Sequence, residues 1–249
     1  MHFFMMKNQV VVITGASSGI GYSTALHLSK LKMKIAIGAR RTKKLENLKK
    51  KMIENGSDVI YKELDVSKKQ SCNSFIDHII TKWKRIDILI NNAGIMPLSF
   101  IKNLKFEEWD RMIDVNLKGT LYCTGFTIPH MIKQKSGHII NISSVAGKIV
   151  FPAGSVYCAT KHAINALSEG LRQELSRYSI RITSIEPGVV KTELTNTITD
   201  NSLQNFIENS KKMIALKAED IANAILFVIQ NPKHVNINEL LIRPISQKL

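Results

Sequence analysis

Seven short apolar runs, rich in β-branched residues, recur along the chain at Val10–Ile13, Lys34–Gly38, Asp58–Tyr61, Ile86–Ile90, His138–Ile142, Arg181–Ile185 and Leu240–Ile242. Longer stretches with a helical period separate most of them: Ile20–Leu31, Lys43–Glu54, Lys68–Trp83, Phe106–Ile132, Val156–Tyr178 and Ala218–Ile229. A half-exposed strand alternates apolar and polar residues, whereas these runs are apolar nearly throughout, so they belong to a sheet covered on both faces. Strand–helix alternation of this kind predicts an α/β fold in which seven parallel strands form a doubly wound sheet with helices on both faces. Ligands of such sheets bind at the carboxyl ends of the strands. With 249 residues and no Pro/Ser linker or internal repeat, one domain spanning 1–249 is expected.

The first run leads into Thr14-Gly15-Ala16-Ser17-Ser18-Gly19-Ile20-Gly21, and a helix follows. Glycines there let the backbone turn sharply and approach a pyrophosphate, whose charge a helix N-terminus stabilises. This predicts a Rossmann-type dinucleotide site on Gly15, Ser17, Ser18, Gly19, Ile20 and Gly21, although the spacing G-x-x-x-G-x-G differs from the commoner G-x-G-x-x-G. The second run ends in Gly38-Ala39-Arg40-Arg41, where such folds read the adenosine ribose. An acidic residue accepts from the 2′-hydroxyl of NAD, and arginine accommodates a 2′-phosphate. No Asp or Glu lies between Ile35 and Lys44, while Arg40 and Arg41 do, so NADP(H) is the expected cofactor.

Tyr157 and Lys161 stand four residues apart, a spacing that places both on one face of a helix. A phenol titrates near pH ~10. An ammonium at about 4 Å is worth roughly 4 kcal/mol at an effective dielectric of ~20. The pair is therefore expected to bring Tyr157 towards the working range of a general acid–base.

Taken in order, Thr14-Gly15-x-x-x-Gly19-x-Gly21, Asn91-Asn92-Ala93-Gly94, Ser144 and Tyr157-x-x-x-Lys161 resemble the motifs of the short-chain dehydrogenase/reductase family across nearly the whole chain. The resemblance implies an NADP(H)-dependent oxidoreductase acting on a carbonyl or secondary alcohol. It implies that Asp65, with Val66, touches the adenine and that Asn91, beside Ala93 and Gly94, lies by the adenosine ribose while steadying the central sheet. Asn116 corresponds to the asparagine that holds a water in a proton relay. Of Ser143 and Ser144, the second lies thirteen positions before Tyr157, the family's usual interval, and is taken as the serine that binds the substrate carbonyl. Pro187, Gly188, Val190 and Thr192 resemble the turn at the nicotinamide. The catalytic set is thus Asn116, Ser144, Tyr157 and Lys161, with Tyr157 and Lys161 also touching the cofactor. A catalytically idle dinucleotide-binding sensor is the alternative, and it would need a damaged Ser/Tyr/Lys set.

Residues 193–213 are expected to form a helical flap over the substrate, with Leu194, Ile198, Leu203, Phe206 and Ile207 as its apolar anchors. Ile95-Met96-Pro97, Val145-Ala146-Gly147 and Pro152–Ser155 are expected to line the pocket. The tail Asn231–Pro244 resembles the branch holding 3-hydroxy-acid (serine-type) dehydrogenases and clavulanate-type aldehyde reductases, which implies a small 3-hydroxy acid or aldehyde as substrate. The helices at Phe106–Ile132 and Val156–Tyr178 resemble those through which family members pair, which implies a homodimer or homotetramer.

Lys+Arg outnumber Asp+Glu by 35 to 20, a formal charge of +15, but the lysines are scattered and not interleaved with aromatics, so nucleic acid is not an expected partner. No apolar run is long enough to span a membrane, and the hydrophobic Met1–Met6 is too short for a signal peptide. Cys72, Cys123 and Cys158 form neither a disulfide framework nor a metal cluster. A metal-free cytoplasmic protein is expected.

Overall fold

Val10–Thr14 (β1) sends Val11 and Ile13 to one face of the sheet and Val10 and Val12 to the other, and all four are fully buried. That two-sided burial requires a helical layer on each face. The computed structural model, described for residues 6–204, 208 and 214–247, supplies both. Beside β1 lie Lys34–Ala39 (β2), Asp58–Glu63 (β3), Ile88–Asn91 (β4), Gly137–Ile142 (β5), Ile180–Pro187 (β6) and Glu239–Ile242 (β7). The order across the sheet is β3-β2-β1-β4-β5-β6-β7, and every pairing is parallel. Chain direction across the sheet reverses between β1 and β4, the position at which a crevice opens beyond the strand ends.

One face is covered by Gly19–Ser29 (α1), Thr42–Glu54 (α2) and a later helix, Ala218–Gln230. The other carries Lys69–Trp83 (α3), Gly119–Gln134 and Ser155–Leu175. The stretch expected as one helix from Phe106 is in fact Phe106–Ile113 (α4), a π-helical turn over Asp114–Lys118, and Gly119–Gln134 (α5). Ser155–Leu175 is then α6, and Ala218–Gln230 is α7. Gly119 permits the close passage after the π turn, since a Cβ there would meet Val66 Cγ2 at 2.7 Å. The expected flap begins with short 3₁₀ turns, Glu193–Thr197 and Asn201–Leu203. Leu203 anchors it in an apolar cluster with Ile95, Met112 and Tyr157. The expected anchors Phe206 and Ile207 fall outside the described residues. Among the described residues no helix is long and apolar enough to cross a membrane.

A polar chain runs through the layer between the sheet and α5 and α6. Asn91 Nδ2 donates to Thr124 Oγ1 and to Asn141 Oδ1, both at 2.9 Å, and Asn141 Nδ2 donates to Ser168 Oγ at 2.9 Å. All four residues are buried. Replacing Asn91 by leucine keeps the volume but strands Asn141 Oδ1 and removes a donor from Thr124. The expected cost is about 1–3 kcal/mol of unfolding free energy. Urea denaturation of Asn91→Leu measures it, and an unchanged midpoint would contradict the bonding.

Candidate active site

The turn after β1 is stitched to the turn after β4. Thr14 Oγ1 accepts from the backbone N–H groups of Asn92 (3.0 Å) and Ala93 (3.1 Å), and Asn92 Nδ2 donates to the carbonyls of Thr14 and Gly15. Gly15 has φ +66°, and a Cβ there would lie 2.7 Å from Ala93 Cα, so only glycine fits. The first turn of α1 has no acidic residue and no side-chain cap, which leaves its amide donors open towards the crevice. Ser18, at the N-cap position of α1, and Ser17 before it instead accept from Arg41. Arg40 and Arg41 precede α2 at Thr42, where a helix dipole disfavours cations. Glycine backbone, open amides and two guanidinium groups at one end of a crevice suit an elongated ligand bearing phosphates.

At the inner end, β5 runs out at Ile142 and Ser144 caps the following turn, its Oγ accepting from Ala146 N–H at 3.1 Å. The neighbouring Ser143 is committed elsewhere, donating to the Lys161 carbonyl at 3.2 Å. Tyr157 lies in the first turn of α6 with Lys161 one turn on, and they are 6% and 7% exposed. Lys161 Nζ donates to the Ile142 carbonyl at 2.8 Å and sits 5.7 Å from the centre of the Tyr157 ring. Asn116, in the π turn, accepts from Ile95 N–H through Oδ1 and donates to the Ile95 carbonyl through Nδ2, both at 2.9 Å. Nδ2 also donates to Thr160 Oγ1 at 3.2 Å. Both amide protons are therefore used to hold the loop after β4 against α6.

A cleft of about 650 Å³ at the carboxyl edge of the sheet joins these two ends. Of the catalytic and cofactor residues picked out in the sequence, all line it except Gly21, Asn91 and Asn116; of the three stretches expected to line the substrate pocket, only Ile95 does. A Cβ on Gly21 would lie 2.5 Å from Asn92 Nδ2, so this glycine makes room for the stitched turn. Asn91 turns its amide into the sheet–helix layer, and it is Asn92 that faces the cleft. Cleft residues that sequence reasoning did not single out include Asn92, Ile142 and Asn196. Alternation along β4 is the signal that could have separated Asn91 from Asn92, since neighbouring residues of a strand face opposite ways.

A sequence model described as short chain dehydrogenase matches residues 9–203. The chain belongs to that family. An uncharacterized oxidoreductase of Staphylococcus saprophyticus is 49% identical over 247 residues, spanning 98% of this chain and 99% of the relative. Among solved structures, the closed form of a serine dehydrogenase complexed with NADP⁺ superposes with a TM-score of 0.90 at 34% identity, covering 97% of each chain. An alcohol dehydrogenase of the archaeon Thermococcus sibiricus, complexed with 5-hydroxy-NADP, gives 0.86 at 28% identity, with 98% of this chain and 99% of that one covered. The protein is accordingly an oxidoreductase of the short-chain dehydrogenase type.

In this short-chain dehydrogenase, burial dominates the Tyr157–Lys161 pair. It pushes the phenol up to about 12, the Ser144 hydroxyl only partly offsetting it, and drives the ammonium down to about 8. The expected lowering of Tyr157 by its lysine is therefore absent. The physical reason is order of titration: Lys161 gives up its charge before the phenol does. Cys158, behind Tyr157, has its thiol pushed up by burial, as suits a packing residue.

Below pH about 8 Lys161 is charged in both folded and unfolded chains, and the full cost of burying that charge weighs on the fold. Between about 8 and the ordinary 10.5 the unfolded chain holds a proton that the fold has released, so stability rises with pH. The slope from this one residue approaches about 1.4 kcal/mol per pH unit. Lys161→Met should flatten it. Urea denaturation of both proteins at several pH values in this window tests the sign, and parallel curves would contradict it.

Proposed function

We propose that the protein is an NADP(H)-dependent carbonyl reductase and alcohol dehydrogenase acting on a small 3-hydroxy acid, the corresponding keto compound or an aldehyde. What carries this reading is one cleft with Ser144, Tyr157 and Lys161 at its inner end and the glycine turn with Arg40 and Arg41 at its outer end. The solved relatives complexed with NADP⁺ and 5-hydroxy-NADP support the cofactor class. The serine dehydrogenase likeness supports the substrate class.

When bound, the nicotinamide supplies the hydride. The chain's own residues bind, orient and move a proton. Gly15, Ser17, Ser18, Gly19 and Ile20 would hold the pyrophosphate, Asp65 and Val66 the adenine, and Arg40 and Arg41 the 2′-phosphate. Ala93, Gly94, Pro187, Gly188, Val190 and Thr192 would line the nicotinamide half. Ser144 would donate to the carbonyl oxygen as charge grows there. Tyr157, kept protonated by burial, is in the acid form that carbonyl reduction needs. Lys161, charged below pH about 8, would donate to ribose hydroxyls and stabilise the phenolate left after proton transfer. Asn116, by fixing Ile95, would position the loop that carries Gly94.

Three free, buried cysteines suit a reducing, cytoplasmic setting. Exposed Phe106, Ile113 and Leu121 on α4 and α5 support pairing of copies through these helices into a homodimer or homotetramer.

An NADPH-oxidation screen over aldehydes, ketones and 3-oxo acids tests the reading, with L-serine and 3-hydroxy acids run in reverse. NADPH should outperform NADH, and turnover with at least one carbonyl is expected. Tyr157→Phe should still bind NADPH but lose about 10²–10⁴-fold in kcat. Substantial turnover by that variant would overturn the proton donor.

A further inference from the structure

The Glu193 carboxylate stands where an anionic ligand would stand. Its Oε2 lies 2.6 Å from Arg41 Nη1 and its Oε1 lies 3.0 Å from Lys44 Nζ. The remaining donors of the same guanidinium, Nε and Nη2, go to the Ser17 and Ser18 hydroxyls. Ser17, Ser18, Arg41 and Glu193 all face the cleft. The cations hold the Glu193 carboxyl down at about 2, so it is ionised throughout the neutral range.

Glu193 also begins the 3₁₀ turn Glu193–Thr197, which Thr192 caps through Oγ1 and Leu194 N–H. The other end of this turn reaches the substrate side. Asn196 and Thr197 line the cleft there, and Thr197 Oγ1 accepts from Met96 N–H at 3.0 Å. One five-residue turn thus spans from the adenosine-side cations to the substrate pocket.

We propose that Glu193 is a specificity-determining latch that occupies the 2′-phosphate position until a phosphate displaces it. The proposal rests on the NADP(H) reading above. A phosphate, with more charge and three acceptor oxygens, outcompetes a carboxylate for a guanidinium, and the two anions repel each other at shared cations. Displacement frees the first residue of the turn, so the presence of a 2′-phosphate is transmitted to the substrate end. A ligand without that phosphate leaves the latch closed. The competition is modest, because the side chains of Arg41, Lys44 and Glu193 are 46%, 47% and 46% exposed and exposed pairs are weak.

Calorimetric titration of the ligand-free protein with adenosine 2′,5′-bisphosphate and with adenosine 5′-monophosphate tests the latch, since the two probes differ only in the 2′-phosphate. Glu193→Gln should tighten the bisphosphate by about 2–5-fold and leave the monophosphate nearly unchanged. In the unsubstituted protein, the bisphosphate should speed amide exchange at Leu194 and Ile198, whose N–H groups are held by Thr192 and Thr195, and the monophosphate should not. If the unsubstituted protein prefers the bisphosphate but Glu193→Gln changes both affinities alike, weakens the bisphosphate or changes neither, the latch is overturned and the cofactor reading stands. Unchanged amide exchange overturns the latch in the same way. If the unsubstituted protein shows no preference for the bisphosphate, both fall.

Discussion

Seven strands running in one direction is the constraint from which the rest of the molecule follows. Parallel pairing sends the carboxyl end of every strand to the same edge. The turns after β1, β2, β3, β4, β5 and β6 therefore meet there, although they are dispersed over most of the chain. The reversal between β1 and β4 opens a crevice between those turns. Hydrogen bonds from Asn92 to Thr14 and Gly15 fix its floor. The helix carrying Tyr157 and Lys161 starts at this edge too, because α6 has to begin near the end of β5 to pack back along the sheet.

Both ends of the cleft hold charge in positions that cost the unliganded fold. Lys161 is a buried cation with one carbonyl partner, and its titration is lowered accordingly. Arg40 and Arg41 sit at a helix N-terminus, where the dipole opposes them. Glu193 and the two serine hydroxyls relieve the outer end. A dinucleotide brings phosphates to one end and ribose hydroxyls to the other, which is the complement of this arrangement. On the proposed function, that binding energy would serve to pre-orient Ser144 and Tyr157 around a carbonyl.

Much of this was legible in the residues because it is local. Strand and helix periods gave the sheet and its layers, and the glycine turn and the Tyr157–Lys161 spacing marked the two ends of the cleft. What was not legible has physical causes. The π turn around Asn116 inserts extra backbone without breaking the apolar period, so Phe106–Ile132 read as one helix. Glu193 meets Arg41 from 152 positions away, beyond any local pattern. The Tyr157 titration is not legible from its spacing to Lys161, because desolvation dominates it and the spacing does not reveal that both groups are almost fully buried. Asn92 is not distinguishable from Asn91 as the cleft residue without the exact end of β4.

Hydride transfer itself is tested most directly with NADPH carrying deuterium at both C4 positions of the nicotinamide. The protein is incubated with a carbonyl compound that it consumes, and the alcohol is analysed by mass spectrometry. Ser144, Tyr157 and Lys161 acting as argued above predict one deuterium on the carbinol carbon and a solvent-derived proton on its oxygen. NADPH that binds but is never consumed by any carbonyl, or an alcohol with no deuterium on carbon, would contradict that chemistry.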